Sequence, residues 1–179
     1  MDWSDVTRRV VIEAVEAHPL DRVLDLGCGD GQVLRALAPR IRAGVGVDRD
    51  AQVLARARLA APANLGFVEA DFRDLRPIWP AGTSVVILHD ALRQVNPAEQ
   101  QRVLGEIGAL LPERGLLVVG DVVWSLPPQM IDEPESYGEN LEYVPTAAGL
   151  EAMVRAAGFL PDLHRFSPGR AVLIALKGR

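Results

Sequence analysis

An apolar run, Arg22–Leu26, breaks on three alternating glycines, Gly27, Gly29 and Gly31, and resumes at helical spacing from Gln32. No other stretch limits the fold so tightly. A short apolar run bounded in this way reads as a buried strand, and the periodic stretch from Gln32 reads as a helix. Gly27 lets the chain turn sharply between them. Gly29 and Gly31 offer main chain on which a ligand can lie directly. A strand that feeds a helix through such a loop opens a parallel α/β sheet.

The rest of the chain keeps that rhythm. Ser4 is expected to cap a helix through Ala17, with Val6, Val10, Ala14 and Val15 on one face. The helix after the glycines stops at Pro39, and a second strand spans 43–48. Asp50 caps a helix that ends before Pro62, strands follow at 65–70 and 83–89, and Pro97 opens a helix through Leu111. A fifth strand spans 115–123. Thr146 caps a last helix that Gly158 ends. Strands at 159–166 and 171–177 then flank Ser167–Arg170, a turn short enough to pair them antiparallel. Alternation of this kind means a mostly parallel sheet with helices on both faces, and ligands lie beyond the carboxyl ends of its strands. The ends to inspect are Asp25–Gly31, Asp48–Asp50, Ala70–Phe72, His89–Asp90 and Asp121–Trp124.

At 179 residues and 49 % hydrophobic, the chain reads as one domain, 1–179, with an N-terminal helix within 1–20. A net charge of −5 disfavours a track for nucleic-acid phosphates. No apolar run approaches the ~20 residues of a membrane span, so no membrane association is expected. The acidic, polar start has no signal-peptide pattern, and Cys28 is the single cysteine, so a reducing, cytoplasmic setting is expected.

Asp48 closes the second strand about twenty residues after the loop, where a carboxylate can accept from both hydroxyls of a ribose. Asp71 closes the third, where an adenine edge would then sit. Loop, Asp48 and Asp71 together describe a binder of an adenosine-like molecule. Singly, each has a plainer explanation: close packing for the glycines, a cap for Asp48, a turn for Asp71. Cys28 reads as a small spacer. A dinucleotide loop would place Gly or Ala where Gln32 stands.

On these residues the chain resembles the class I S-adenosylmethionine-dependent methyltransferases. VLDLGCGDG (23–31) is similar to their first motif and VGVD (45–48) to the second. VEADFRDL (68–75) is similar to the third, TSVVILHDAL (83–92) lies where the fourth does, and LEAMVRAAGF (150–159) resembles the final helix and turn. LLPERGLLVV (110–119) resembles the turn into strand five, with Glu113-Arg114-Gly115 for the usual Pro-Gly-Gly. Thr83-Ser84 stand where the family often has Asp. The resemblance implies a Rossmann-like three-layer sandwich whose seven-stranded sheet has the order 3-2-1-4-5-7-6. It implies that Asp25 and the loop Gly27, Cys28, Gly29 and Gly31 hold the methionine end of S-adenosyl-L-methionine. Asp48 would hold the ribose, Arg49 would flank the adenine, Asp71 would accept from its amino group, and the Phe72 backbone would contact the ring. His89 would border the reacting methyl.

Methyl transfer from a sulfonium needs alignment first and a base only for a protonated acceptor. His89 and the adjoining Asp90 are the candidates for that catalytic role, with backbone shaping of the pocket as the alternative for His89. His18 reads as a capping or surface residue, and His164 lies in a late strand far from the mouth. The Pro-rich, acidic segment 124–145 is the candidate acceptor lid, with Trp124, Met130, Tyr137 and Tyr143 as an apolar lining, or else a solvated loop. Help from a second copy would make the protein a homodimer. The expected acceptor is a small molecule. The absence of an Asn/Asp-Pro-Pro-Tyr signature and the acidic charge point away from DNA bases, and no metal site is expected. The competing readings are a non-catalytic S-adenosylmethionine-binding regulator and an NAD(P)-dependent oxidoreductase.

Overall fold

The computed structural model describes residues 3–16, 22–59, 61–126, 130, 137, 139–167 and 169–178. Its elements run α1 (Trp3–Glu16), β1 (Arg22–Leu26), α2 (Gln32–Leu37), β2 (Ala43–Asp48), α3 (Ala51–Leu59) and β3 (Leu65–Glu69). β4 (Val85–His89), α4 (Pro97–Leu110), β5 (Leu116–Val122), α5 (Ala147–Ala156), β6 (Phe159–Ser167) and β7 (Arg170–Lys177) complete it. The seven strands form one sheet in the order β3-β2-β1-β4-β5-β7-β6. β7 pairs antiparallel with both β5 and β6, and the other pairings are parallel. Sheet order reverses at β1, whose neighbours β2 and β4 leave on opposite sides, and that opens a crevice beyond its carboxyl end.

The strands are buried on both faces, and their period of two divides the core. Val85, Ile87, Leu116 and Val118 pack with Val11 and Val15 of α1 and Val33, Leu34 and Leu37 of α2. Val86, Leu88, Leu117 and Val119 pack with Val103, Leu104 and Ile107 of α4 and Leu150 and Val154 of α5. The same parity puts His89 and Gly120 beneath α1. A Cβ on Gly120 would lie 2.5 Å from Val11 and 2.9 Å from Thr7, so the helix sits directly on bare strand.

Two side-chain caps fall where the sequence places them: Asp50 accepts from the backbone of Gln52 and Val53, and Thr146 from Gly149. Asn96, just before Pro97, adds a third by accepting from Glu99. Several boundaries shift. α1 already includes Trp3, so Ser4 lies in its first turn and donates instead to Asp90 Oδ2 at 2.5 Å. α2 stops at Leu37 and tightens into a 3-10 turn, Ala38–Arg40, around Pro39. β4 starts only at Val85, because Thr83 bonds back to Pro80. Segment 124–145 has local order where it is described. Trp124 bridges to Thr146, and Leu141–Tyr143 form a 3-10 turn. His18 and the acids Asp132, Glu133 and Glu135 lie outside the described residues.

Candidate active site

The loop after β1 hangs from β2. The amides of Gly27 and Cys28 both donate to Val47 O, at 2.8 and 3.0 Å. Gly27 has φ 73°, and a Cβ there would lie 2.7 Å from the Cβ of Ala91, so only glycine fits. Gly31, at φ 77°, is bare for another reason: Phe67 and Ala57 pack on it, with the Phe67 ring 2.7 Å from where a Cβ would be. Gly29 faces open space apart from Val53 at 3.9 Å. Cys28 is buried over Gly46, and burial, with Asp25 and Asp48 adding, pushes its thiol well above the usual range. Its side chain fills the space above Gly46.

Asp48 reaches back into this loop. Its Oδ2 accepts from Gly29 N at 2.9 Å and its Oδ1 from Asp50 N at 3.0 Å. Each oxygen keeps a lone pair for a ligand hydroxyl. Asp25 lies fully buried below, and neither of its oxygens has a partner among the described residues. Burial, helped by the Asp48 charge, raises its pKa from 3.8 to about 7.

Beyond the loop is a cavity of about 260 Å³. Gly27 lines it with Asp48 and Arg49 after β2, Ala70–Arg73 after β3, and Asp90, Ala91, Gln94 and Val95 after β4. Sequence-predicted residues from four strand ends therefore meet in one trough. The Asp71 carboxylate is engaged by Arg73, through Nε at 2.8 Å and Nη2 at 2.5 Å, and this contact lowers its pKa. Arg73 also reaches Glu99 of α4 at 3.0 Å. These groups are exposed, so the pairs are weak and Asp71 can be released at little cost.

The wall after β4 is different. Asp90 has φ 53°, rare for a residue with a side chain. Its Oδ1 accepts from Arg93 at 2.7 Å and from Arg170 of β7. Burial would raise its pKa, but Arg170, the Ser4 hydroxyl, His89 and Arg93 together pull it down to about 2. Arg93 also holds the buried Asp121, at 2.5 Å from Oδ1. The His89 ring, kept neutral by burial, turns under α1, with Nε2 3.3 Å from Ser4 O, and does not line the cavity.

Nor do Trp124, Tyr137 and Tyr143 line it. Trp124 meets Tyr137 edge to face at 5.5 Å, and both crowd Gly169 in the β6–β7 turn. Tyr143 contributes its carbonyl to Gln100 Nε2 at 2.7 Å. Met130 is exposed. Sequence reasoning did not single out Arg73, Arg93, Gln94 or Arg170. The one local signal was Arg93, placed three residues after Asp90 in a turn at a strand end.

A family model described as a methyltransferase domain matches residues 23–115, just over half of the chain. The chain belongs to the class I S-adenosylmethionine-dependent methyltransferase family. An uncharacterized methyltransferase of Synechocystis is 29 % identical over 111 residues, covering 62 % of this chain and 51 % of the relative. Ribosomal RNA small subunit methyltransferase C of Klebsiella pneumoniae is 31 % identical over 145 residues, covering 77 % and 42 %. This chain thus spans about half the length, or less, of these relatives. The crystal structure of the YcgJ protein from Bacillus superposes with a TM-score of 0.80 at 15 % identity, covering 98 % of this chain and 99 % of that one. That likeness shows the fold.

The family's cofactor, S-adenosylmethionine, fits the residues present. The main chain at Gly27 is a cradle that a Cβ would disturb, and Asp48 keeps lone pairs for a ribose. The buried Asp25 offers two unpartnered oxygens near the loop. No helix among the described residues is long and apolar enough to cross a membrane.

Proposed function

We propose that the protein transfers a methyl group from S-adenosylmethionine to a small-molecule acceptor. One observation carries the reading: Gly27, Asp48 and Asp71–Phe72, from three strand ends, line a single trough. In it Asp48 holds the ribose, Arg49 flanks the adenine, and Asp71 and Phe72 receive its edge. Asp25 and the Gly27–Gly31 loop serve the methionine end. When bound, the cofactor supplies a methyl group already activated on a sulfonium, so the protein's work is alignment and exclusion of water. Asp90, held ionised by two arginines and Ser4, is a weak base for an acceptor's proton. His89, turned under α1 and away from the cavity, shapes the end of β4 and has no path to an acceptor proton. Trp124, Tyr137 and Tyr143 serve from behind, fixing segment 124–145 beside the acceptor side.

A net charge of −5 favours a small acceptor over a polyphosphate one. The similarity to an enzyme named for ribosomal RNA makes RNA the second acceptor to test. S-adenosylhomocysteine release is to be measured with phenols, carboxylic acids and amines as acceptors, and separately with ribosomal RNA. Turnover on at least one small molecule is expected. Turnover on RNA alone overturns the acceptor class. Binding of S-adenosylmethionine with no turnover on any of them points to the non-catalytic regulator.

A further inference from the structure

The cofactor trough has one wall that glycine does not build. Asp90, Ala91, Gln94 and Val95 line it from the turn after β4. At the start of that turn Asp90 has φ 53°, a conformation that persists only where its surroundings fix it. Ala91 then stands over the loop after β1, its Cβ 2.7 Å from where a Cβ on Gly27 would be. The two walls meet there, and the trough keeps its shape only while the turn stays in place. Charge ties the turn down at two points. In its middle, Arg93 reaches Asp121 of β5 through Nη1 at 2.5 Å and through its backbone amide at 3.3 Å. At its start, Asp90 Oδ1 accepts from Arg93 at 2.7 Å and from Nη1 of Arg170. Arg170 opens β7, two strands from β4 in the sheet; it is buried and does not line the trough. It grips the lining residue whose backbone is left-handed despite its side chain. The other groups facing Asp90 are the Ser4 hydroxyl of α1 at 2.5 Å and the His89 ring at 3.9 Å, with Asp121 beyond Arg93. Burial would raise the Asp90 carboxyl, and Arg170 is foremost among the groups that hold it down at about 2.

We propose that Arg170 is a positioning residue for cofactor binding: its charge on Asp90 holds the turn after β4 against the Gly27 loop and so keeps that wall of the trough in place. This rests on the reading of the trough as the cofactor's. A protein whose binding-competent arrangement is only partly populated binds more weakly by that fraction, so loosening the turn lowers affinity with no contact to the ligand removed.

The test measures the S-adenosylhomocysteine affinity of the full chain by calorimetry at about pH 7.5 and about pH 5. Variants are made on a His89→Gln parent, so that a proton on His89 cannot stand in for the missing guanidinium. The Asp25 proton is common to all of them and cancels in the comparison with the parent. Arg170→Gln should weaken binding about threefold at the higher pH and about tenfold at the lower, where Asp90 takes a proton and fewer molecules keep the turn in place. Arg170→Lys keeps a charge opposite Asp90 and should stay within about twofold of the parent at both. Should Arg170→Gln not fold, Asp90→Asn with Arg170→Gln leaves neither charge of the pair unmatched. That double variant should bind about tenfold more weakly at both pH values, and parental affinity in it overturns the proposal. Parental affinity in Arg170→Gln, whatever its stability, overturns it too, as does a loss that does not grow as pH falls. Arg170→Lys as weak as Arg170→Gln would make the shape of the guanidinium decisive, and the charge on Asp90 would not be what holds the wall. Failure of the wild type to bind S-adenosylhomocysteine would sink the methyl-transfer reading, a result distinct from these.

Discussion

The loop after β1 and the segment after β5 both lie beyond the carboxyl ends of the sheet, but they are held in different ways. The loop is fixed by main chain: two amides on Val47 O, and Gly29 N on the Asp48 carboxylate of the next strand. The segment is fixed by side chains to scattered elements: Trp124 and Tyr137 against Gly169, Gln100 on Tyr143 O, and Asn140 on Gln94. The cofactor cradle is thus a property of strand-to-helix geometry and of glycine. The segment after β5 depends on a few long-range contacts, and it can be altered with the cradle left intact.

The largest effect expected lies under the cradle. Asp25 has a folded pKa of about 7 against 3.8, so the native state holds its proton more tightly than the unfolded chain does. Stability is then lost as pH rises from about 4 to 7, by up to about 1.4 kcal/mol per pH unit, and levels off above that. Asp25→Asn does not titrate. Urea denaturation across that range should show wild type losing about 4 kcal/mol relative to the variant, and parallel curves would show that Asp25 is not buried as described. On the other side, Trp124→Ala should cost about 3 kcal/mol of stability yet leave S-adenosylhomocysteine affinity within about twofold. A large loss of affinity there would join the two regions into one. Gly27→Ala should act on the cradle, lowering affinity along with stability. A Cβ at φ 73° and 2.7 Å from Ala91 should weaken S-adenosylhomocysteine by about ten- to a hundredfold in calorimetry. The smallest effect is expected for Glu99→Gln, which frees one arm of the exposed Arg73. The urea midpoint should match that of the wild type, and a clear shift would make Arg73 a structural clasp of the mouth.

The same contrast explains what could be read in the sequence. Strand runs, the Asp50 and Thr146 caps and the Asp48 position are local patterns, and strand parity comes with them. Arg170 was hidden in a hairpin turn 80 residues from Asp90, the carboxylate it meets. Arg93 and Asp121 are 28 residues apart and meet only because β4 and β5 are neighbours. Trp124 and Tyr137 were legible as aromatic anchors, but what they anchor to, Gly169, is set by the return of β7 beside β5. Ser4 carries a capping residue type, yet its hydroxyl goes to Asp90, a partner no local pattern reveals. Periodicity reports which face is buried; it carries no information on which distant charge lies opposite.

The most direct test is a crystal structure with S-adenosylhomocysteine bound. Both ribose hydroxyls should lie within hydrogen-bond distance of the Asp48 carboxylate, with the ligand crossing the bare main chain at Gly27. A ligand seated elsewhere, or Asp48 turned away from the ribose, would contradict the cradle on which the proposed chemistry stands.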